Sequence, residues 1–276
     1  MRKLFLVLLA GLLFLVIPSM HLSHAISLAS RESFPPVLMY HDIKSVPVNG
    51  FDVSLEDFKK QLDWLQQEGY TTLSAEEFAA CIKNRQAFPE KSILITFDDG
   101  YQGIYTYAAP ELAKRNMKAV FFLIPGDFDT ALKDYPYVTK KQVLELAANP
   151  NFSMCSHTMT HPNLETSSPA VIKEEVTKSK KVLEDLTGRP CDLLAYPCGN
   201  YNKGILAAVK EAGYTAVFAV NDRGMLEEAA RFSIPRIYMG TIMGKNNMKL
   251  FKYSVEHYKE MPKEAFAERY KFFKKK

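Results

Sequence analysis

Short apolar runs alternate with amphipathic helical stretches about seven times from residue 36 onward. The apolar runs are nearly continuous, which is typical of strands buried on both faces of a parallel sheet covered by helices. No Gly-x-Gly-x-x-Gly fingerprint follows the first run, so a closed or nearly closed barrel is favoured over an open sheet. The pattern therefore predicts an α/β barrel with strands at PVLMYHDI, YTTL, SILITF, KAVFFLI, NFSMC, DLLAY, TAVFAV and FSIPRIYM.

Start and stop signals mark the helices between these strands. Ser54 stands three residues before Asp57, and Ser74 three before Glu77, which is the spacing of a side chain that caps a helix N-terminus. Several helical stretches end in glycine, as expected of a C-terminal cap. The predicted helices are LEDFKKQLDWLQQEG, AEEFAACIKN, GIYTYAAPELAKRN, KKQVLELAAN, PAVIKEEVTKSKKVLEDLTG and NKGILAAVKEAG.

The chain is long and apolar enough to bury a substantial core. Of its 276 residues, 47% are hydrophobic and 24% are charged, which excludes an intrinsically disordered chain. One domain of about 240 residues is expected, because α/β barrels often reach that size undivided. We place this domain at residues 34–245, followed by a helical extension with a basic tail at residues 246–276.

Residues 1–25 are predicted to be a secretory signal peptide. Arg2 and Lys3 precede an uninterrupted apolar run, and Ser23 and Ala25 supply the small residues of a cleavage site. The run is short for a membrane span of about 20 residues, although an uncleaved N-terminal anchor is the alternative. In either case the body of the protein is expected to be exported, either secreted or at the cell surface.

The C-terminal sequence ERYKFFKKK is strongly basic. A solvated terminus is the usual interpretation of such a tail, and contact with an anionic wall polymer or membrane face is the functional alternative. Nothing in the sequence indicates nucleic acid as a partner, and a monomer is expected.

The cysteines do not have the spacing of a disulfide framework, although export would permit disulfides. If residues 191–196 form a strand, Cys191 and Cys198 stand beyond the reach of a disulfide with each other. Free, partly buried thiols are therefore predicted at Cys81, Cys155, Cys191 and Cys198.

Two adjacent aspartates, Asp98 and Asp99, follow Phe97 at the end of a predicted strand. A barrel places its functional groups at the C-terminal ends of its strands. An isolated Asp-Asp-Gly would more often be a simple Asx turn leading into Gly100. The motif therefore indicates a functional site only if other reactive groups lie at the same edge of the barrel.

A second motif, SHTMTH, places His157 and His161 four residues apart just after another predicted strand. On a helical turn such side chains share a face, so both imidazoles can converge on one metal ion. Two histidines and one carboxylate make the open, three-ligand site of a catalytic metal, and this donor set suits zinc, cobalt or nickel. If Asp99 binds the metal, the cation offsets the repulsion between the aspartates and leaves Asp98 ionised as a general base.

A third motif, LAYPCGNYN, follows a further strand. Pro197 fixes a turn, and Gly199 permits the backbone to approach a bound ligand closely. In the functional interpretation, the backbone N–H of Cys198 faces a developing oxyanion. The alternative is a plain strand-to-helix loop in which Asn200 or Asn202 caps the next helix.

Together the three motifs resemble those of the polysaccharide deacetylases with a NodB homology domain, carbohydrate esterase family four. TFDDG is similar to the family's first motif and HTMTH to its second. The resemblance covers roughly residues 34 to 240 and implies the NodB homology fold, a distorted (β/α)7 barrel. It also implies one divalent metal on Asp99, His157 and His161, with Asp98 as the base. The implied reaction removes acetyl groups from the sugars of an N-acetylated polysaccharide.

Two features depart from the family pattern. The third motif usually begins with an arginine that orients the catalytic aspartate, but here that position is Ala195, and Arg236 in IPRIY is the candidate replacement. The Leu-x-His motif that commonly supplies the general acid is absent, and His257 in SVEHYKE is a poor match. His41, at the end of the first strand, is the better candidate.

The opening VLMYHDI, together with AYPxGxYN and PRI, resembles the subgroup of exported poly-N-acetylglucosamine deacetylases. The barrel of that subgroup is circularly permuted relative to other members. In a permuted barrel the first strand occupies the place of the last, so His41 would reach the amide nitrogen of the substrate. A buried histidine with a purely structural role is the alternative for this residue.

Two other functions are compatible with parts of the sequence. Paired carboxylates also cleave glycosidic bonds, but adjacent residues in one strand rarely bracket such a bond, and a glycoside hydrolase leaves the histidines unexplained. A non-catalytic glycan-binding wall protein could retain the fold without turnover. The sequence leaves the substrate open among poly-β-1,6-N-acetylglucosamine, peptidoglycan and chitin-like polymers. Aromatic residues in the loop PGDFDTALKDYPY would either stack on sugars or pack within the loop.

Overall fold

The computed structural model describes residues 33–130, 135–220, 227–240 and 248–260. The predicted signal segment and the basic tail lie outside these ranges. Within them, no helix has the length and apolar character needed to cross a membrane.

A parallel sheet forms the centre of the fold, as the apolar runs predicted. The bounds of the strands are β1 Val37–Tyr40, β2 Asp42–Lys44, β3 Asp52–Ser54, β4 Thr71–Thr72, β5 Ser92–Phe97, β6 Ala119–Leu123, β7 Phe152–Ser156, β8 Leu193–Ala195, β9 Ala216–Phe218 and β10 Ile237–Tyr238. The strand order in the sheet is β10-β1-β5-β6-β7-β8-β9, and the short strand β4 pairs with β5. The strands of this sheet are almost entirely buried because helices cover them from outside.

The sheet curls until its two ends meet through the segment that leads into β10. Ile234 forms a parallel bridge with Phe218 of β9, and Ile237 pairs with Leu38 of β1. This confirms the predicted α/β barrel. The first strand of the chain lies between β10 and β5, so the barrel places it directly beside the last strand.

Helices begin at the capping residues that the sequence indicated. The Ser54 side chain accepts a hydrogen bond from the backbone of Asp57, and Ser74 forms a complete capping box with Glu77. Gly188 ends the longest helix in the left-handed conformation. The helices are α1 Leu55–Gln67, α2 Ala75–Lys83, α3 Ala109–Lys114, α4 Lys140–Ala147, α5 Pro169–Thr187, α6 Lys203–Glu211 and α7 Met248–Glu256.

The first predicted strand, residues 36–43, is in fact interrupted at His41. β1 remains in the barrel, whereas β2 turns out of it to pair with β3, with Asp42 opposite Asp52. The hydrophobic pattern did not reveal this change of partner, because both strands are buried. Its consequence is that His41 lies at the rim of the barrel, where the chain leaves the sheet.

None of the four cysteines is in a disulfide, as predicted. Cys155 and Cys191 are buried, Cys81 is half-buried and Cys198 is exposed. Burial raises the pKa of the Cys155 thiol well above its usual value.

Candidate active site

The residues singled out from the sequence gather at one edge of the barrel. The strands are parallel, so their C-terminal ends lie together, and the loops that follow them share one face. The candidate residues at this edge are Asp98 and Asp99 after β5, His157 and His161 after β7, Cys198 after β8 and His41 after β1. Arg236 lies immediately before β10, and its guanidinium reaches Asp98 from within the barrel.

Asp99, His157 and His161 present their ligand atoms to a common point. His157 Nε2 lies 3.4 Å from Asp99 Oδ1, and His161 Nε2 lies 3.7 Å from the same oxygen. One ligand atom from each residue lies within 4.8 Å of the other two. His157 Nδ1 donates to the carbonyl oxygen of Ala195 at 2.8 Å, which fixes the ring with Nε2 turned towards Asp99. The donor set and its orientation fit one divalent metal ion.

The two histidines do not converge by lying on a helical turn, as the four-residue spacing suggested. Thr158 and His161 adopt left-handed backbone conformations, with φ of 67° and 54°, so the chain is a loop here. Ser156 Oγ accepts from the N–H of Thr158 at 3.1 Å, and Thr158 Oγ1 accepts from the N–H of His161 at 3.1 Å. The rings meet because these local hydrogen bonds fold the loop back on itself.

Asp98 and Arg236 form a bidentate ion pair inside the barrel. Arg236 Nη1 and Nη2 donate to the two carboxylate oxygens of Asp98, each at 2.6 Å. Nη1 also donates to Thr96 Oγ1 at 3.2 Å, and Nε donates to the Ala219 carbonyl at 3.3 Å. Arg236 is only 1% exposed, and all three of its guanidinium nitrogens donate to named acceptors. The guanidinium that the family pattern places at position 195 is therefore supplied by Arg236, which comes from a different part of the chain.

The charged groups of the site perturb one another's pKa. Burial acts to raise the pKa of Asp98, but Arg236 and His157 outweigh it and hold the value below the usual range. The pKa of Asp99 is also lowered against burial, chiefly by the hydrogen bond from His157. The pKa of His161 is lowered to about 4, first by burial and then by repulsion from His157. Both carboxylates are thus anionic at neutral pH, and His161 is a neutral imidazole able to ligate a metal.

His41 lies at the rim of the same site, against two aromatic rings. Its ring centroid is 5.1 Å from that of Phe51 and 5.9 Å from that of Tyr238. The residue is buried, and its Nδ1 has no hydrogen-bond partner among the described residues. Burial lowers the pKa of His41, against the opposing effect of the anionic Asp99 and Asp98.

His257 is remote from this face of the barrel. It follows α7, where its Nδ1 hydrogen-bonds the Tyr253 carbonyl at 3.0 Å and its ring stacks on that of Tyr253 at 4.3 Å. Its neighbour Tyr258 lines a cavity together with Pro36 and Ser92, which lie at the N-terminal ends of β1 and β5. This places α7 at the opposite edge from the candidate site.

The third motif forms a tight turn between β8 and α6. Cys198 has a φ of 57° and Gly199 a φ of 69°. A Cβ at Gly199 would lie 2.4 Å from the Val220 side chain, so the close approach that requires glycine is to Val220 and not to a ligand. The Asn202 side chain accepts from the N–H of Ile205 at 3.0 Å and caps α6, as the structural interpretation of the motif expected.

Aromatic residues from the loop after β6 lie beside Asp99. Tyr137 stacks on Tyr101 at 5.2 Å, and Tyr135 meets the same ring at 5.5 Å. Lys44 Nζ lies 3.7 Å above the Tyr135 ring, and Asn49 donates to its hydroxyl. These tyrosines therefore pack among themselves at the edge of the site. Residues 131–134 of this loop lie outside the described ranges.

Glu175 is a residue of the site that the sequence interpretation missed. Its buried carboxylate, on α5, hydrogen-bonds the loop that carries the two histidines. A signal was present in the sequence, because Glu175 falls on the apolar face of this amphipathic helix, beside Ile172 and Val176. A carboxylate on a buried helical face needs hydrogen-bond donors, so a polar segment is expected to pack against Glu175.

Comparison with known proteins gives one consistent family. Residues 85–217 match the family model for polysaccharide deacetylases. YxkH of Bacillus subtilis, whose name assigns it to the polysaccharide deacetylases, is 34% identical over 179 residues, which are 65% of this chain and 62% of YxkH. The poly-β-1,6-N-acetyl-D-glucosamine N-deacetylase of Staphylococcus aureus is 27% identical over 216 residues, covering 75% of this chain and 74% of that protein.

A solved structure has the same architecture. The Streptococcus pyogenes deacetylase PplD, determined in complex with acetate, aligns with a TM-score of 0.67 and 29% identity. The alignment covers 78% of this chain and 96% of PplD. The alignment therefore includes nearly the whole of that deacetylase.

Proposed function

We propose that this chain, which belongs to the polysaccharide deacetylase family, hydrolyses the N-acetyl amide of N-acetylglucosamine units in a polysaccharide and releases acetate. One observation carries the proposal: Asp99, His157 and His161 converge directly beside the ion-paired Asp98 at the C-terminal edge of the barrel. Hydrolysis of an amide needs an activated water and a stabilised oxyanion, and this arrangement can supply both.

Asp99, His157 and His161 are the residues that would hold the metal. Their mixed oxygen and nitrogen donors suit zinc, cobalt or nickel. When bound, such an ion supplies Lewis-acid polarisation of the amide carbonyl and lowers the pKa of a coordinated water to about 7 in the case of zinc.

The remaining site residues carry out the two proton transfers and stabilise the oxyanion. Asp98, kept anionic and fixed in orientation by Arg236, accepts the proton of the attacking water. The backbone N–H of Cys198 donates to the oxygen that becomes negative in the tetrahedral intermediate. His41, as imidazolium, gives a proton to the departing amine nitrogen. The products are acetate and a glucosamine unit.

Among N-acetylated polymers, poly-β-1,6-N-acetylglucosamine is the substrate we favour. The Staphylococcus aureus relative is named for that activity and aligns over three quarters of this chain. The predicted signal segment, residues 1–25, supports an enzyme that acts outside the cytoplasm on a cell-surface or wall polymer.

Acetate release across a polymer panel tests this function. Purified protein supplied with zinc or cobalt should release acetate from poly-β-1,6-N-acetylglucosamine faster than from peptidoglycan or chitin oligomers. New reducing ends should not appear. Reducing ends without acetate would indicate a glycoside hydrolase, and glycan binding with neither product would indicate a non-catalytic wall protein.

The ion pair on the base yields a separate prediction. In Arg236→Lys we expect kcat to fall by about 10- to 100-fold, because lysine cannot hold both oxygens of Asp98 and a small misplacement of a reacting group is costly. Arg231→Lys is the matched control, since Arg231 packs on Phe232 from the same segment. Steady-state kinetics measures both variants. A wild-type kcat in Arg236→Lys would show that the orientation of Asp98 does not depend on the bidentate pair.

A further inference from the structure

A buried carboxylate on α5 holds the loop between the two metal-binding histidines. Glu175 accepts from the N–H of Met159 at 2.8 Å, from the N–H of Thr160 at 2.9 Å and from Thr160 Oγ1 at 2.6 Å. We infer that Glu175 is the positioning residue of the metal site and sets its affinity for the ion. The inference rests on the proposed metal-dependent function, and it assigns Glu175 no part in the proton transfers.

The histidine loop needs an external hold because its own backbone is strained. Thr158 and His161 are non-glycine residues in the left-handed region, with φ of 67° and 54°. Such conformations persist only where surrounding contacts fix them. Ser156 and Thr158 hold the two left-handed residues by local hydrogen bonds, and Glu175 holds Met159 and Thr160 between them, with an anion whose hydrogen bonds are stronger than those of a neutral acceptor.

The backbone of Met159 forms hydrogen bonds on both sides. Its N–H donates to Glu175, and its carbonyl accepts from the N–H of Gly126 at 2.9 Å. A Cβ on Gly126 would lie 2.5 Å from that carbonyl oxygen, so the loop after β6 touches the histidine loop directly. The segment between the two ligands is therefore clamped between α5 and a neighbouring loop, which restricts how far the imidazoles can separate.

Glu175 belongs to a polar pair on the otherwise apolar buried face of α5. Ser179, one turn further along, lies with its Oγ 2.7 Å from Ser156 Oγ, and Ser156 in turn accepts from the N–H of Thr158. The rest of this face consists of Ile172, Val176 and Leu183. A leucine at position 175 would bury apolar area without the cost of desolvating a carboxylate. Glu175 and Ser179 are polar because both take part in the hydrogen bonds that support the histidine loop.

Glu175 is not itself a ligand. Its Oε2 accepts two of the three hydrogen bonds and its Oε1 the third, and all three donors belong to the loop. It acts on the metal through the backbone that carries His157 and His161. Partners of this kind outside the ligand set typically contribute about 10- to 100-fold in metal affinity or activity.

Metal affinity, measured apart from catalysis, tests the inference. The metal-free chain is titrated with Zn²⁺ or Co²⁺ against a competing chelator, as wild type, Glu175→Gln and Glu174→Gln. Glutamine cannot accept from all three donors, so we expect Kd to rise by about 10-fold or more. Glu174→Gln is the control, because Glu174 lies one residue away with a 68% exposed side chain that pairs with Lys178; its Kd should not change.

Turnover and thermal unfolding separate positioning from general support of the fold. At saturating metal, Glu175→Gln should recover most of the wild-type kcat, because none of the reacting groups is altered. If the metal-free variant unfolds at a lower temperature while its Kd equals that of the wild type, Glu175 supports the fold only, and the inference is overturned.

A second variant decides the matter if Glu175→Gln does not fold. Thr160→Val removes only the Oγ1 donor at 2.6 Å, and it should weaken metal binding by less than Glu175→Gln does. Wild-type Kd in Thr160→Val and in any folded Glu175→Gln protein would reject the inference while leaving the metal site intact. A wild-type chain that binds neither ion would reject the proposed metal-dependent function as well.

Discussion

Asp98→Asn should keep its metal and lose turnover. We expect kcat to fall by about 10² to 10⁴, the usual contribution of a positioned general base, because asparagine cannot accept the proton of the attacking water. Metal content should equal that of the wild type, since Asp99, His157 and His161 are unchanged. Steady-state acetate release and elemental analysis of the same protein measure the two effects.

The matched variant is His161→Ala, which removes a ligand and leaves the base. It should lose both the ion and all measurable turnover, and a chelator should do the same to the wild type. Equal metal content in Asp98→Asn and His161→Ala, or full wild-type activity in chelator with no metal present, would contradict this division of labour. A wild-type rate in Asp98→Asn would show that another group is the base.

Asp98→Asn should also be less stable than the wild type. It leaves the buried Arg236 guanidinium without its carboxylate, and breaking a buried ion pair costs about 3–5 kcal/mol. Chemical unfolding of the variant therefore has to accompany the kinetics. The kinetic comparison is made only at temperatures where the variant remains folded.

The barrel could be predicted because its causes are local. Continuous apolar runs require burial on both faces, and Ser54 and Ser74 mark helix starts by hydrogen bonds to residues three positions away. The same holds for the edge at which Asp98 and His157 lie, because parallel strands fix that edge once each motif is placed after a strand. These inferences need no knowledge of which segments meet across the barrel.

The parts of the site that are hardest to predict from the sequence depend on contacts across the fold. Glu175 lies 16 residues from Met159 and 15 from Thr160, so neither the helix pattern nor the histidine motif indicates that these residues are in contact. The pairing of Asp98 with Arg236 spans 138 residues, and its one local indication is the alanine at position 195, where the family pattern has an arginine. The same limit explains the helical turn expected for the histidines, because spacing alone cannot report two left-handed residues.

His41→Ala should leave metal content and folding intact while lowering kcat by about 10² to 10⁴, the range for a positioned acid. His41 is the histidine at the rim of the site, its Nδ1 lacks a partner in the described ranges, and burial lowers its pKa against the opposing effect of Asp99 and Asp98. An acid must be protonated to act, so the wild-type rate should fall on the alkaline side as His41 loses its proton. The variant should lose that alkaline limb.

His257→Ala is the control for this prediction, and it should keep the wild-type rate and pH profile. His257 stacks on Tyr253 beside a cavity at the N-terminal ends of β1 and β5, on the far side of the barrel from His41. An inactive His257→Ala beside an active His41→Ala would show that the C-terminal segment supplies the acid by folding over the site. Loss of activity in His41→Ala alone would instead tie the acid to the first strand, which this barrel places beside its last.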